Sequence, residues 1–170
     1  MEASIRNLRD EFEQTVRAYS ADLYRYAYWL SRDRFTAEEL VQEVFARAWA
    51  NWSELRDIKA VKQWLITILR NERSRMFARK SIPLSDDDVH ELDIPQTSGV
   101  AENLDIRRRI ERLPLAYREP LLLQVLGGYS CAEIAALLET SEGAIMTRLT
   151  RARQALRGDE TTPTLLRVAT

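Results

Sequence analysis

The chain has 170 residues, an apolar fraction of 45% and a formal net charge of −1 at pH 7. Its length allows one domain or two small ones, and no apolar run is long enough to span a bilayer. The start of the sequence lacks the apolar core of a secretory signal, and the single cysteine, Cys131, cannot form an internal disulfide. We therefore expect a cytoplasmic protein with no membrane insertion of its own. His90 is the only histidine and no cysteine lies near it, so neither a metal nor a cofactor is expected.

The charge is unevenly distributed along the chain. Segment 70–80 is rich in arginine and holds one acid, Glu72, and segment 148–157 holds arginines and no acid. Segment 81–106, by contrast, contains acids but no lysine or arginine. Two basic patches separated by an acidic segment are typical of a nucleic-acid-binding protein, although the summed charge is close to zero.

The spacing of apolar residues predicts only helices, so the expected fold class is all-α, with two small helical domains. A first amphipathic helix spans residues 4–30, with segment 19–21 as a candidate break. A second helix is expected from Thr36, which forms a capping box with Glu39, to Trp52. The residues on its polar side are Glu39, Gln42, Glu43 and Arg47.

A third helix follows the polar stretch 53–59 and is basic in its distal half. Segment 81–101 contains prolines, a glycine and an aspartate run without helical periodicity, which predicts a flexible acidic linker. Beyond it, a helix is expected from Tyr117 to Leu126, and Pro120 is acceptable only in its first turn. The predicted organisation is a first domain over 1–80, the linker over 81–101, a second domain over 102–160 and a C-terminal tail over 161–170.

Residues 130–157 have the pattern of two short helices joined by a tight turn. Ser130 and Glu133 form a capping box that predicts a helix from Cys131, and Thr140 or Ser141 can cap the next helix. That helix has one buried stripe of apolar residues: Ile145, Leu149, Ala152 and Leu156. Its outer face carries Met146, Thr147, Thr150, Arg151 and Gln154. The pattern predicts a helix-turn-helix whose second helix can enter the DNA major groove, and a helical hairpin with a solvated basic face is the alternative.

Three segments of the sequence occur in order at a familiar spacing. They are TAEELVQEVFARAW at 36–49, KQWLITILRNERSR at 62–75 and LPLAYREPLLLQVLGGYSCAEIAALLETSEGAIMTRLTRARQAL at 113–156. On these segments the chain resembles the extracytoplasmic-function (ECF, group 4) sigma factors of bacterial RNA polymerase, which retain only regions two and four. The resemblance implies an alternative sigma factor, not an enzyme. Such a protein binds core RNA polymerase and directs promoter-specific transcription initiation by recognising −10 and −35 elements.

The resemblance also implies roles for particular residues. The second helix is similar to the element that binds the β′ clamp helices of core polymerase, through Glu39, Gln42, Glu43 and Arg47. The third helix is similar to the element that holds the −10 region as a single strand, with Asn71 near a flipped base. Its implied DNA contacts are Arg70, Asn71, Arg73, Arg75, Arg79 and Lys80.

The helix-turn-helix is similar to the element that reads the −35 region. The positions that match the family's contacts are Gly143, Met146, Thr147, Thr150 and Arg151, and the flanking Arg148 and Arg153 would meet phosphates. Two residues depart from the family pattern. Glu139 stands where the turn usually has glycine, so the turn is expected to find a left-handed residue elsewhere or to do without one. Met146 stands where lysine or arginine is usual. The −35 sequence that relatives with a basic residue recognise therefore cannot be assumed for this chain.

The partners implied by the resemblance are core RNA polymerase, through its β′ clamp helices and β flap, promoter DNA and an anti-sigma factor. The main alternative is a conventional helix-turn-helix transcription regulator, which would bind its operator tightly without polymerase. A second alternative is a decoy that binds an anti-sigma factor and does not initiate transcription. An enzyme is the least supported class, since no nucleophile–base pair, metal cluster or phosphate loop is present in the sequence.

Overall fold

A computed structural model describes residues 2–80 and 100–157, which belong to two compact units, Met1–His90 and Glu91–Thr170. The described residues form α-helices and two short 3₁₀ turns, with no strand among them, which confirms the all-α prediction. Most of the predicted linker, the predicted C-terminal tail and the side chain of Lys80 lie outside the described residues. Among the helices at 2–80 and 100–157, none combines the length and the hydrophobicity that a membrane span requires.

Over residues 2–80, the first unit contains three helices: α1 (Glu2–Ser31), α2 (Arg34–Ala50) and α3 (Val61–Lys80). The 3₁₀ turns Trp52–Glu54 and Ile58–Ala60 connect α2 to α3. Each helix buries one apolar stripe in a common core, as the periodicity predicts. The fully buried side chains include Leu30, Leu40, Val44, Leu65 and Leu69. Because α1 runs without interruption through 19–21, the candidate break there is wrong.

The corner between α1 and α2 is set by two polar residues. Arg32 has a left-handed backbone (φ 57°), and its N–H donates to the carbonyl of Tyr28 at 2.7 Å. Asp33 then caps α2, because its Oδ2 accepts hydrogen bonds from the backbone N–H and the hydroxyl of Thr36 at 2.7 and 2.6 Å. The predicted capping box at Thr36 and Glu39 is therefore wrong. Asp33 lies three residues earlier, and its carboxylate accepts from the N–H of Thr36 itself, so α2 starts at Arg34.

An aromatic cluster closes the end of the first unit where α2 leads into α3. The ring of Phe12 lies 5.0 Å from those of Trp49 and Trp52, and Trp52 lies 6.2 Å from Trp64 (centroid distances). Tilted and edge-on contacts at these distances contribute stability beyond simple burial. All four tryptophans of the sequence belong to this unit, so indole fluorescence reports on it alone.

The second unit contains α4 (Val100–Arg112), α5 (Leu115–Val125), α6 (Cys131–Leu137) and α7 (Glu142–Arg157). Helix α5 begins at Leu115 rather than Tyr117, which puts Pro120 in the second turn, so the expectation that it lies in the first turn is wrong. The ring of Pro120 is fully buried, and its burial offsets the lost backbone hydrogen bond. The core of the unit also includes Leu123, Ile134, Ile145 and Leu149.

Two arginines complete the ends of helices in the second unit. Arg118 is only 5% exposed, and its guanidinium donates to the carbonyls of Glu111 at 2.9 Å and Leu113 at 3.3 Å, at the end of α4. Arg109 on α4 donates to the carbonyl of Leu156, in the last turn of α7, at 3.0 Å. Because the last carbonyls of a helix have no partner within it, these bonds satisfy acceptors that would otherwise be unpaired.

The turn between α6 and α7 contains a left-handed residue that is not glycine. Glu139 has φ 51°, the N–H of Thr140 donates to the carbonyl of Ala135 at 2.9 Å, and that of Glu139 donates to the carbonyl of Ala136 at 3.4 Å. This is the Schellman arrangement, which normally places glycine at the left-handed position. The expectation that the turn finds its left-handed residue elsewhere is therefore wrong: Glu139 adopts the conformation itself.

Candidate functional site

The polar side of α2 carries the four residues predicted to contact core polymerase. Glu39 and Gln42 are exposed, and Glu43 and Arg47 are half-buried. The Arg47 Nε lies 3.0 Å from Glu43 Oε1, one turn away on the same helix. The structure thus brings all four side chains to one side of α2, with the first two available to a partner and the last two already paired with each other.

Glu72 connects this side of α2 to α3. Its side chain is only 6% exposed, yet the same oxygen, Oε1, is in ion-pair contact with Arg47 Nε and lies 2.8 Å from Arg75 Nη1. A buried carboxylate is stable only where charged partners compensate for its lost hydration, and both partners here are predicted contact residues. Glu72 therefore holds one residue of the candidate polymerase surface and one of the candidate −10 surface.

The basic half of α3 divides its predicted DNA contacts between two sides of the helix. Asn71, Arg75 and Arg79 are spaced four residues apart, so they share one side, and all three are exposed. Arg70 and Arg73 are half-buried on another side, where the Arg73 guanidinium lies 4.8 Å from the centre of the Phe77 ring. The structure thus groups an amide with two guanidinium groups, a set suited to a base edge and a phosphate backbone.

The outer face of α7 carries the residues predicted to contact the −35 element. The buried stripe is Ile145, Leu149 and Ala152, as the periodicity predicts, and Leu156 is half-buried. The opposite side is exposed, and it carries the predicted contacts Gly143, Met146, Thr147, Thr150 and Arg151 together with Gln154. Ser141 accepts a hydrogen bond from the N–H of Ala144 at 3.2 Å and so fixes the start of the helix. Ser130 and Glu133 form both bonds of the predicted capping box at the start of α6.

Two arginines of α7 are held by side chains of α5. Arg151 Nη1 donates to the hydroxyl of Tyr117 at 3.4 Å, and Arg153 Nη2 donates to Oε1 of Gln124. The half-buried Arg148 lies on the opposite flank of α7 from Arg153. Since an arginine loses rotamer freedom when it binds, contacts that orient it beforehand reduce that cost.

Sequence reasoning missed Glu72, Tyr117 and Gln124 as parts of these surfaces. A signal for Glu72 was present, because it follows Leu65 and Leu69 at i+7 and i+3 and therefore continues the buried stripe of α3. No comparable signal exists for the two α5 residues. Their contacts to α7 join positions 34 and 29 residues apart in the chain, which only the packing of the helices brings together.

Comparison with known families agrees with this two-unit arrangement. The family described as "Sigma-70 region 2" matches residues 15–81, and the family described as "Sigma-70, region 4" matches residues 103–156. The first match covers the C-terminal half of α1 with α2 and α3, and the second covers nearly all of the stretch from α4 to α7.

Curated relatives match over nearly the whole chain. The ECF RNA polymerase sigma factor SigM of Mycobacterium tuberculosis is 30% identical over 152 residues, which cover 87% of this chain and 76% of that protein. SigM of Bacillus subtilis is 29% identical over 151 residues, covering 85% and 92%. Among solved structures, the sigma factor RpoE in complex with the anti-sigma factor NepR from Bartonella quintana has a TM-score of 0.70 at 28% identity, covering 86% and 94%. CnrH in complex with the cytosolic domain of CnrY shares the fold, with a TM-score of 0.61 at 23% identity, covering 86% and 85%.

A region 2 helical bundle followed by a region 4 helix-turn-helix defines a sigma factor, a specificity subunit and not an enzyme. This chain belongs to the ECF RNA polymerase sigma factors. It is an alternative sigma factor that binds core RNA polymerase and directs promoter-specific transcription initiation.

Proposed function

We propose that three surfaces divide this work: the polar side of α2 binds core polymerase, α3 holds the −10 strand and α7 reads the −35 element. Residues 1–80 would act as region 2 and 102–160 as region 4, joined by a linker over 81–101 and followed by a tail over 161–170. The observation that carries the proposal is the outer face of α7, where exposed polar and cationic side chains lie opposite a fully buried stripe.

The α2 surface is suited to a basic partner such as the β′ clamp helices. Glu39 and Gln42 are exposed acceptors, and Glu43 is half-buried beside them. Arg47 is already paired with two carboxylates, so the net character of the surface is acidic and polar. An acidic surface on a helix is complementary in charge to a basic coiled coil.

The α3 surface is suited to an exposed single strand. Arg75 and Arg79 can contact phosphates, and Asn71, on the same side, can pair with a base edge. Arg70, Arg73 and Lys80 would add to the positive potential around the strand.

The α7 surface is suited to the major groove of a duplex. Arg151 can pair with guanine through two parallel hydrogen bonds, which discriminates by roughly 1–3 kcal/mol. Gly143, Met146, Thr147 and Thr150 would approach base edges, and Arg148 and Arg153 would contact phosphates on either side.

Further partners and the compartment follow from the same assignment. The β flap would hold the second unit at the −35 element. An anti-sigma factor is a further partner, supported by the related RpoE of Bartonella quintana, whose structure is a complex with the anti-sigma factor NepR. The protein would work in the cytoplasm, where polymerase and promoter DNA are present.

The proposal predicts that DNA binding depends on polymerase. Two weak sites joined by a linker gain affinity when a scaffold fixes their separation, by a factor on the order of 10²–10⁴. A gel-shift assay on a promoter fragment, chosen by run-off transcription with core enzyme, should show weak binding by the chain alone and tight binding by the holoenzyme. Equal affinity with and without core enzyme would instead support a conventional helix-turn-helix regulator.

A paired substitution tests the surface of α7. Arg148→Ala with Arg151→Ala should weaken promoter binding by the holoenzyme about tenfold or more while leaving core binding unchanged. Arg9→Ala is the matched control, because Arg9 is an exposed arginine on α1 that pairs with Glu13 in the neighbouring turn. An unchanged promoter affinity in the double variant would remove α7 from the proposal.

A further inference from the structure

The outer face of α7 presents few hydrogen-bond donors along its central turns. Met146 is 57% exposed and has none. The hydroxyl of Thr147 donates to the carbonyl of Gly143 at 3.0 Å, and the hydroxyl of Thr150 donates to the carbonyl of Met146 at 2.9 Å. Each hydroxyl therefore uses its only proton within the helix and keeps only acceptor lone pairs for a partner.

This chemistry selects among base edges in the major groove. Guanine shows two acceptors there, so a surface without donors leaves both unpaired. Thymine and adenine each show one such acceptor, but thymine also has a methyl group that an apolar side chain can cover, and adenine and cytosine have an amino group that can donate to a hydroxyl oxygen. The set Met146, Thr147 and Thr150 thus suits thymine, adenine and cytosine and disfavours guanine.

Arg151 differs chemically from these three residues. It lies one turn beyond Thr147, and its guanidinium has further N–H donors besides the one directed at Tyr117. Its N–H donors can satisfy guanine, and the exposed Gln154, three residues further along, carries an amide donor as well. The face therefore has an apolar, acceptor-rich part and a cationic part.

Gly143 leaves space beside Met146. A Cβ at Gly143 would meet nothing within 4 Å, so the fold itself does not require glycine at this position. The residue at i−3 from Met146 thus adds no side chain that would shield the thioether from a base.

We propose that Met146 is a specificity-determining residue that covers the 5-methyl group of a thymine in the −35 element. This inference rests on the proposed function, in which α7 enters the major groove. At position 146 this chain would contact the base through an apolar side chain, whereas relatives with a basic residue there would use a charge. The expected contribution is that of one buried methyl group, about fourfold in affinity.

The test uses holoenzyme and a duplex whose −35 region is randomised within a fixed promoter fragment. Selection with the natural chain and with Met146→Ala should identify a position where thymine is enriched only by the natural chain. Replacing that thymine by deoxyuridine, which lacks the methyl group, should weaken binding by the natural chain about fourfold and leave binding by Met146→Ala unchanged. Ile106→Ala is the matched control, because Ile106 is an exposed apolar residue of α4 and should behave like the natural chain.

The outcomes separate this inference from the function on which it rests. A selected element without such a thymine, or deoxyuridine binding as tightly as thymine, would overturn the role of Met146. If Arg151→Ala still weakened binding in the same assay, the placement of α7 in the groove would stand. If Arg151→Ala also had no effect, the proposed −35 function itself would fail.

Discussion

Replacing Glu139 by glycine should stabilise the second unit. A residue with a Cβ in the left-handed region costs roughly 1–2 kcal/mol, and Glu139 occupies that region with φ 51°. Glycine removes this cost but loses about 0.5–1 kcal/mol more backbone entropy on folding. The expected net gain in the free energy of unfolding is therefore about 0.5–1 kcal/mol. The two hydrogen bonds of the turn use backbone atoms only and should be retained.

Urea denaturation of the full chain measures this gain with an internal control. Tryptophan fluorescence follows only the first unit and should not change, whereas the part of the far-ultraviolet circular dichroism signal that comes from the second unit should shift to higher urea. For a slope of about 1 kcal/mol per molar urea, the midpoint should rise by about 0.5–1 M. Glu139→Ala keeps the Cβ and removes the charge, so it should gain much less. Equal gains in the alanine and glycine variants would show that the carboxylate, rather than the backbone, is the source.

Three further substitutions follow from the same structure. Gly143→Ala should raise the stability of the second unit by up to about 1 kcal/mol in the same titration, since the added methyl group meets nothing within 4 Å. Gly128→Ala should lower it by about 1–2 kcal/mol, because φ is +71° there, and an unchanged midpoint would contradict this. Glu72→Ala should lower the stability of the first unit by about 1–3 kcal/mol, measured by tryptophan fluorescence, because two arginines lose a buried partner. Glu13→Ala, which removes only an exposed i,i+4 pair, should change stability by less than about 0.5 kcal/mol.

Much of the fold follows from periodicity and local capping. The stripe of Ile145, Leu149 and Ala152 and the Ser130 capping box are local in sequence, and both appear in the structure as predicted. The errors occur where two local signals compete. Asp33 and Thr36 can each cap α2, and the sequence alone does not indicate which oxygen the helix uses.

The candidate surfaces are less predictable, because their chemistry depends on contacts between helices. Spacing along α3 places Arg75 on an exposed side, but only packing against α2 shows that Glu72 shares one oxygen between Arg75 and Arg47. The donor-poor character of α7 likewise depends on the rotamers of Thr147 and Thr150. A list of residue types would count both hydroxyls as free donors.

The bonds made by Arg118 and Arg109 limit how the second unit can be divided. A fragment beginning at Leu115 would retain α5, α6 and α7, yet the guanidinium of Arg118 would lose the carbonyls of Glu111 and Leu113 that receive its protons. The last turn of α7 would lose Arg109 as well. The helix-turn-helix motif is thus shorter than the fragment that is expected to fold on its own. The smallest such fragment should include all of α4.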